Sequence, residues 1–150
     1  MSTLLTALTG RVQRLIGDID TANPRHETSD YMNALSDSLE DFNADVRIGK
    51  EYEILGTGNS RYYNPDPTAF HKTLFVGFAA LYVMMGEKFK AANEAVSYNN
   101  SAGSTNLTNV PKEMEASINT LKAKLDMAID RELRYAVEED MSITELTTQE

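Results

Sequence analysis

The stretch that most constrains this chain is Leu74 to Met85, which reads Leu-Phe-Val-Gly-Phe-Ala-Ala-Leu-Tyr-Val-Met-Met. It lies inside a longer register, Phe70, Leu74, Phe78, Leu81, Met85, Phe89, Ala92 and Val96, that advances in steps of three and four. Residues spaced in this way share one face of a helix, so the spacing predicts a helix from Pro67 to about Val96. Between Leu74 and Met85 nearly every face is apolar. A helix apolar all round must be covered all round, by its own core or by a neighbouring subunit. Lys72 and Glu87 flank the run, which is shorter than the roughly 20 apolar residues that cross a bilayer, so a buried helix is expected.

The other elements are read outward from this one. Leu5, Leu8, Val12, Leu15 and Ile16 predict a first helix over Thr3–Ile16, with Ser2 placed to cap it and Gly17 to stop it. Asp18 to Glu27, with Asn23-Pro24, reads as a loop. A second helix is expected from Thr28 or Ser29 to about Val46, carried by the stripe Tyr31, Leu35, Leu39, Phe42 and Val46. Asp30, Asp37, Asp41 and Asp45 gather on a separate stripe of that helix, which is either a solvated face or a functional acidic surface.

From Arg47 to Asn64 the pattern changes. Tyr52 and Ile54 alternate with glutamates, Gly56-Thr57-Gly58-Asn59 supplies a turn, and Tyr62 and Tyr63 follow, so a short hairpin or an extended arm is expected. Asp66 is placed to cap the next helix and Pro67 to begin it. Tyr98 to Asn109, rich in Ser, Asn, Thr and Gly, reads as an exposed loop. Met114, Ile118, Leu121, Leu125 and Ile129 predict a fourth helix from Pro111 to about Tyr135, supported by Lys122–Asp126 and Asp130–Arg134 at i,i+4.

After Arg134 there is no positive charge, while Glu138, Glu139, Asp140, Glu145 and Glu150 accumulate. The chain therefore divides into a helical domain, residues 1–137, and an acidic C-terminal tail, residues 138–150. The tail is either flexible or docked on a partner, since Met141, Ile143 and Leu146 remain and Ser142 with Glu145 matches a capping box. The fold class is mainly α, an elongated four-helix bundle with the hairpin or arm between helices 2 and 3. Helices of some 30 residues are roughly 45 Å long, against about 38 Å for the width of a compact domain of this size. Such a subunit leaves apolar flanks that a closed homo-oligomer can cover.

Function classes can be excluded in turn. The absence of cysteine removes thiolate nucleophiles, thiolate zinc sites, iron–sulfur clusters and disulfides. Met1 to Leu8 has no basic leader, so no signal peptide is expected and the mature chain is expected to start at Met1. A net charge of −9 disfavours gripping nucleic acid, which takes clustered Lys and Arg. His26 and His71, the two histidines, lack the Glu-x-x-His spacing of a di-iron bundle. Gly49-Lys50 lacks the flanking residues of a phosphate loop, and Asp18-Ile-Asp20 begins like a calcium loop but continues with Ala22 and Asn23. No pair of carboxylates stands out as acid and base. The reading is of a protein that is not an enzyme and carries no catalytic, cofactor or metal site.

Leu4-Leu5-Thr6-Ala7-Leu8, followed by Arg11-Val12-Gln13-Arg14-Leu15-Ile16-Gly17-Asp18, closely resembles the opening of head–tail connector proteins, the adaptors of tailed bacteriophages. Ser29 to Leu39 resembles the family's next helix, and Ala91 to Tyr98 with the Ser/Asn/Thr loop resembles its third helix and exit. The resemblance spans most of residues 4 to 135. It implies a structural virion protein of the head–tail neck, assembled in the host cytoplasm. There it forms a dodecameric ring beneath the portal, extends the DNA channel without binding DNA specifically, and receives the next connector or tail protein.

On this reading Leu133, Arg134, Tyr135, Val137, Met141, Ile143 and Leu146 are expected to dock on the portal. Asp30, Asp37, Asp41 and Asp45 are candidates to line the channel. Tyr52, Ile54, Tyr62 and Tyr63 form an arm that touches an adjacent subunit or the tail, or else packs on its own subunit. The alternative is a small acidic, non-enzymatic regulatory module that binds a host or phage protein through its C-terminal tail.

Overall fold

The computed structural model describes residues 2–20, 22–45, 51–99 and 110–147. The fold is mainly helical, with a small two-stranded antiparallel sheet inserted between the second and third helices. In chain order the elements are α1 (Thr6–Ile16), α2 (Thr28–Asp45), β1 (Glu53–Leu55), β2 (Tyr62–Asn64), α3 (Ala69–Asn99) and α4 (Val110–Thr147). A 3-10 turn at Gly58–Ser60 joins the strands.

Helix α3 is the centre, because it packs on α1, α2 and α4 alike. Leu74, Phe75, Val76, Phe78, Ala79, Ala80 and Val83 are all buried. Leu8 and Val12 cover α3 from α1, Leu35, Leu39 and Phe42 from α2, and Leu125 from α4. The ring of Phe75 stands at 4.4 Å from that of Phe42 and stacks on that of Tyr63 at 4.5 Å, with the planes 7° apart. Such ring pairs add about 0.5–1.5 kcal/mol each beyond the area they bury. By length and composition Ala69–Asn93 is apolar enough to cross a bilayer, which the shorter run Leu74–Met85 did not suggest. The half of it that holds Leu74–Ala80 is covered by the protein's own helices.

Helix α1 begins at Thr6, three residues later than its periodicity predicts, and Ser2 does not cap it. Residues Thr3–Leu5 pair instead with the free edge of β2. Leu5 N–H donates to Arg61 C=O (3.0 Å), Tyr63 N–H donates to Thr3 C=O (3.1 Å), and Leu4 bridges Tyr62. Backbone groups on an exposed strand edge need partners, and here the N-terminal residues supply them. Asp66 holds this segment down by accepting bonds from the backbone N–H (2.7 Å) and hydroxyl of Thr3. It therefore does not cap α3, and Pro67 lies before the helix. Thr68 is the cap, its Oγ1 accepting from the His71 N–H at 3.1 Å.

The segment expected as hairpin or arm is a hairpin in the register Glu53↔Asn64, Ile54↔Tyr63 and Leu55↔Tyr62. Gly56 has φ +87°, and a Cβ there would stand 2.6 Å from the carbonyl oxygen of Ser60, so the turn requires glycine. Arg61 ties the hairpin to α2 through Ser36 (3.0 Å) and Asn33 (3.2 Å). Asn43 holds both backbone groups of Tyr52, donating to its C=O at 2.8 Å and accepting from its N–H at 3.1 Å.

Helix α2 ends at Asp45, and Val46, Gly49 and Lys50 lie outside the described residues. Helix α3 continues through Asn99, so Tyr98 is helical, while residues 100–109 of the expected loop lie outside the description. Helix α4 runs without a break to Thr147, across the expected boundary at residue 138, and the Ser142–Glu145 pattern starts no helix of its own. Lys122–Asp126 and Asp130–Arg134 are not among the ion pairs of the described residues. Lys88 on α3 instead pairs with Glu115 on α4 at 3.3 Å.

Helix α4 comes close to α3 at Gly77, where a Cβ would meet Leu125 Cδ2 at 2.5 Å. Alanine in an exposed helix interior is about 1 kcal/mol better than glycine, but here its methyl displaces Leu125. Gly77→Ala is therefore expected to gain about 1 kcal/mol in a Leu125→Ala background and to lose that gain in the native one. Urea denaturation of the four proteins in the cycle checks this, and equal effects in both backgrounds would show that the contact carries no energy.

Candidate functional site

Two buried polar clusters join the helices near opposite ends of the core. The first grows from the end of α1. Gly17 adopts a left-handed conformation, with its N–H on Arg14 C=O and the Asp18 N–H on Gln13 C=O, which closes the helix in a Schellman turn. Asp18 is thereby buried. Its carboxylate accepts the Tyr31 hydroxyl, and both its oxygens lie 3.1 Å from the Arg25 backbone N–H. The Arg25 side chain reaches Glu87 on α3 at 3.1 Å, and His26 Nε2 meets the same carboxylate at 2.8 Å. The Tyr31 hydrogen bond, aided by Arg25 and opposed by burial, holds Asp18 below the usual carboxylate range. Burial, followed by the Asp18 bond, pushes the Tyr31 phenol up.

The second cluster begins at His71, 5% exposed, whose Nδ1 lies 2.6 Å from the Tyr52 hydroxyl and whose Nε2 lies 3.2 Å from Glu132 Oε1 on α4. With the proton on Nε2, that nitrogen donates to Glu132 and Nδ1 accepts from Tyr52. A Tyr–His–Glu line could relay a proton, yet the histidine ring is walled by the rings of Phe42, Tyr52 and Phe70. Burial, with the charges of Asp66 and Glu132, raises the Tyr52 phenol. No buried side-chain nitrogen or oxygen among the described residues lacks a partner. Both clusters are closed upon themselves and act as joints. Among the described residues, no group of three His, Cys, Asp or Glu side chains is arranged to hold a metal.

The aspartate stripe is on the surface, with Asp30, Asp37 and Asp41 exposed and the side chain of Asp45 outside those described. Two of these carboxylates already serve the fold. Asp30 accepts from the Glu27 N–H at 2.9 Å at the start of α2, and Asp41 accepts from the Tyr82 hydroxyl at 2.6 Å. The latter bond pushes the Tyr82 phenol up to about 12.

Of the two alternatives for the aromatic arm, packing on its own chain is what the fold shows at two positions. Tyr52 and Tyr63, 4% and 0% exposed, lie in the core of their own chain because Phe42 and Phe75 receive them. Ile54 and Tyr62 are half-buried, and Ile54 packs against the same core. On α4, Leu133 is half-buried and Arg134 and Tyr135 are exposed, while the side chains of Val137, Met141, Ile143 and Leu146 lie outside those described.

The Asp18–Arg25–Glu87 cluster escaped the reading of the sequence. Glu87 is 61 residues from His26, and no local pattern announces that distance. The apparent calcium-loop start has a different explanation, since Asp18 serves the cluster and Asp20 Oδ1 accepts from the Ala22 (2.9 Å) and Asn23 (3.3 Å) N–H groups. Two adjoining surface depressions, of about 360 and 320 Å3, share Leu15 between α1, α3 and α4. No protein-family model matches the chain, and neither curated proteins nor solved structures give a match.

The first cluster makes stability depend on acid. A carboxyl held below its unfolded value contributes stability that is complete above that value, 3.8 for Asp, and is lost as pH falls through the folded value. Asp18→Asn is expected to be less stable than the native chain at neutral pH, and the gap to close as pH drops well below 3.8. Denaturant midpoints at the two pH values measure it, and a gap independent of pH would assign the loss to packing alone.

Proposed function

We propose that this chain is a non-enzymatic structural subunit of a phage head-to-tail connector. Copies assemble as a dodecameric ring beneath the portal, extend the channel through which DNA passes, and present a platform to the next connector or tail protein. The reading takes the four helices as one elongated adaptor bundle and places the ring in the neck of the virion.

The observation that carries it is an exposed apolar stripe on the second half of α3. Tyr82, Met85 and Phe89, at i, i+3 and i+7, are 39%, 41% and 64% exposed on a helix whose earlier turns form the core. Contiguous apolar surface of this kind marks a place where another protein sits. Two further features agree with an assembly role: the histidines are engaged by their own chain, and the polar clusters brace helices rather than open to a substrate. The order of the N-terminal motif, the second helix and the third helix supplies the connector reading in particular. An acidic wall lets DNA pass without adhering, and Asp37 is the exposed aspartate of the α2 stripe best placed for that role, having no role in a cap or tyrosine bond above.

Purified full-length chain mixed with portal-bearing heads is expected to add a ring of density below the portal in cryo-electron maps. Solution mass is not the deciding measurement, because a ring templated by the portal leaves the free chain monomeric. Heads that remain bare at saturating chain concentration would sink the reading.

A further inference from the structure

We propose that the acidic C-terminal end of α4 from one copy seats in the groove between α1, α3 and α4 of a second copy. The groove is the pair of depressions that share Leu15. Its apolar lining comes from Leu15, Val76, Met84 and Leu121, and its charged lining from Arg11, Arg14 and Lys124. Among the described residues, none of these three cations forms an ion pair with a carboxylate, and Arg11 donates to Thr73 Oγ1 at 3.1 Å. In a chain with 14 basic and 23 acidic side chains, three cations around one groove with no carboxylate among its described lining residues call for an acidic occupant.

The chain carries a segment of that chemistry. After Arg134 it has no Lys, Arg or His, and Glu138, Glu139, Asp140 and Glu145 surround Val137 and Met141. At 100° per residue Val137 and Met141 fall 40° apart, with Asp140 to one side of them and Glu138 and Glu145 to the other. An apolar stripe flanked by carboxylates matches an apolar groove flanked by cations.

The segment leads away from the groove of its own chain. By the register His71–Glu132 the near end of the groove, at Thr73, lies level with about residue 130 of α4, and Glu138 stands about 12 Å farther along a helix that runs on unbroken to Thr147. The occupant is therefore a second copy. The contact joins unlike surfaces, tail into groove, so repeating it gives a ring where the rotation closes and a filament where it does not. This assigns the C-terminal end to the junction between copies rather than to the portal, and it rests on the reading of the chain as a self-assembling subunit.

The natural chain has no cysteine, so single thiols report the contact cleanly. Full-length Leu15→Cys and Met141→Cys chains, mixed and treated with a short bismaleimide, are expected to give a covalent heterodimer. The same is expected in portal-bearing particles. Met127→Cys, on an exposed position of α4, replaces Leu15→Cys to set the background. Arg14→Glu with Lys124→Glu in the groove chain is expected to cut the product about tenfold, as like charges are brought together. Glu138→Lys with Glu145→Lys in the tail chain then restores it.

Product at background in both free chain and particles overturns the proposal, as does a charge swap without rescue, or a doubly substituted chain that links only within itself. Leu15 and Met127 are exposed, so these variants keep the fold, and circular dichroism verifies it. Heterodimer in a chain that never joins heads keeps the contact and removes the connector reading. Rings on heads without the heterodimer do the reverse.

Discussion

The need to cover the first half of α3 organises the molecule. Leu74 to Ala80 place apolar side chains on every side of one helix, and no single neighbour can shield them all. Helix α1 takes one side through Leu8 and Val12, α2 another through Leu35, Leu39 and Phe42, and α4 approaches where Gly77 makes room for Leu125. The hairpin fills the remaining gap by laying Tyr63 flat on Phe75 and bringing Tyr52 edge-on to it. Fully burying a side chain of this size is worth about 1.5–3 kcal/mol, so these few contacts are large beside a net stability of about 5–15 kcal/mol.

Burying that helix also takes polar groups out of water, and the two clusters are the answer to this cost. Asp18, Tyr31 and Arg25 meet Glu87 at one end of the core, and Tyr52, His71 and Glu132 meet at the other. Each cluster joins elements far apart in sequence, so each works as a strut between helices. A buried polar group left without its partner costs about 1–3 kcal/mol, more if charged, which makes the clusters sensitive to removal of any one member. Asp66 does similar work at the surface, where it fastens Thr3 and lets the N-terminal residues complete the edge of β2.

Features set by local chemistry were legible in the sequence. The helical periods located α2 and the body of α3, Gly17 marked the end of α1, and the alternation around Tyr52 and Ile54 announced the strand. What escaped was set by distant partners. Thr3 to Leu5 have a helical period, yet β2 offers them strand bonds, and Thr68 rather than Asp66 caps α3 because Thr3 takes Asp66. Whether the hairpin tyrosines reach a neighbour or pack on their own chain stayed open, because nothing in their own segment names Phe42 or Phe75 as the surface that receives them. Helix α4 outruns its expected end because charge repulsion among acidic residues lowers helix stability by only a few tenths of a kcal/mol per pair.

The register of α4 on α3 explains why coverage is uneven. Glu132 meets His71, Leu125 meets Gly77 and Glu115 meets Lys88, so the two helices run antiparallel. Helix α3 begins only two residues before His71, whereas α4 continues fifteen residues beyond Glu132, about 22 Å of helix. The last dozen or so residues of α4 therefore have no part of α3 beside them. At the other end Met85 and Phe89 face solvent although α4 and α2 lie on the same helix. Helix α4 thus has surplus length at one end of the pair, and α3 has exposed apolar surface at the other. Two different surfaces at opposite ends of one helix pair suit contacts of unlike faces, and the proposed ring is a contact of that kind.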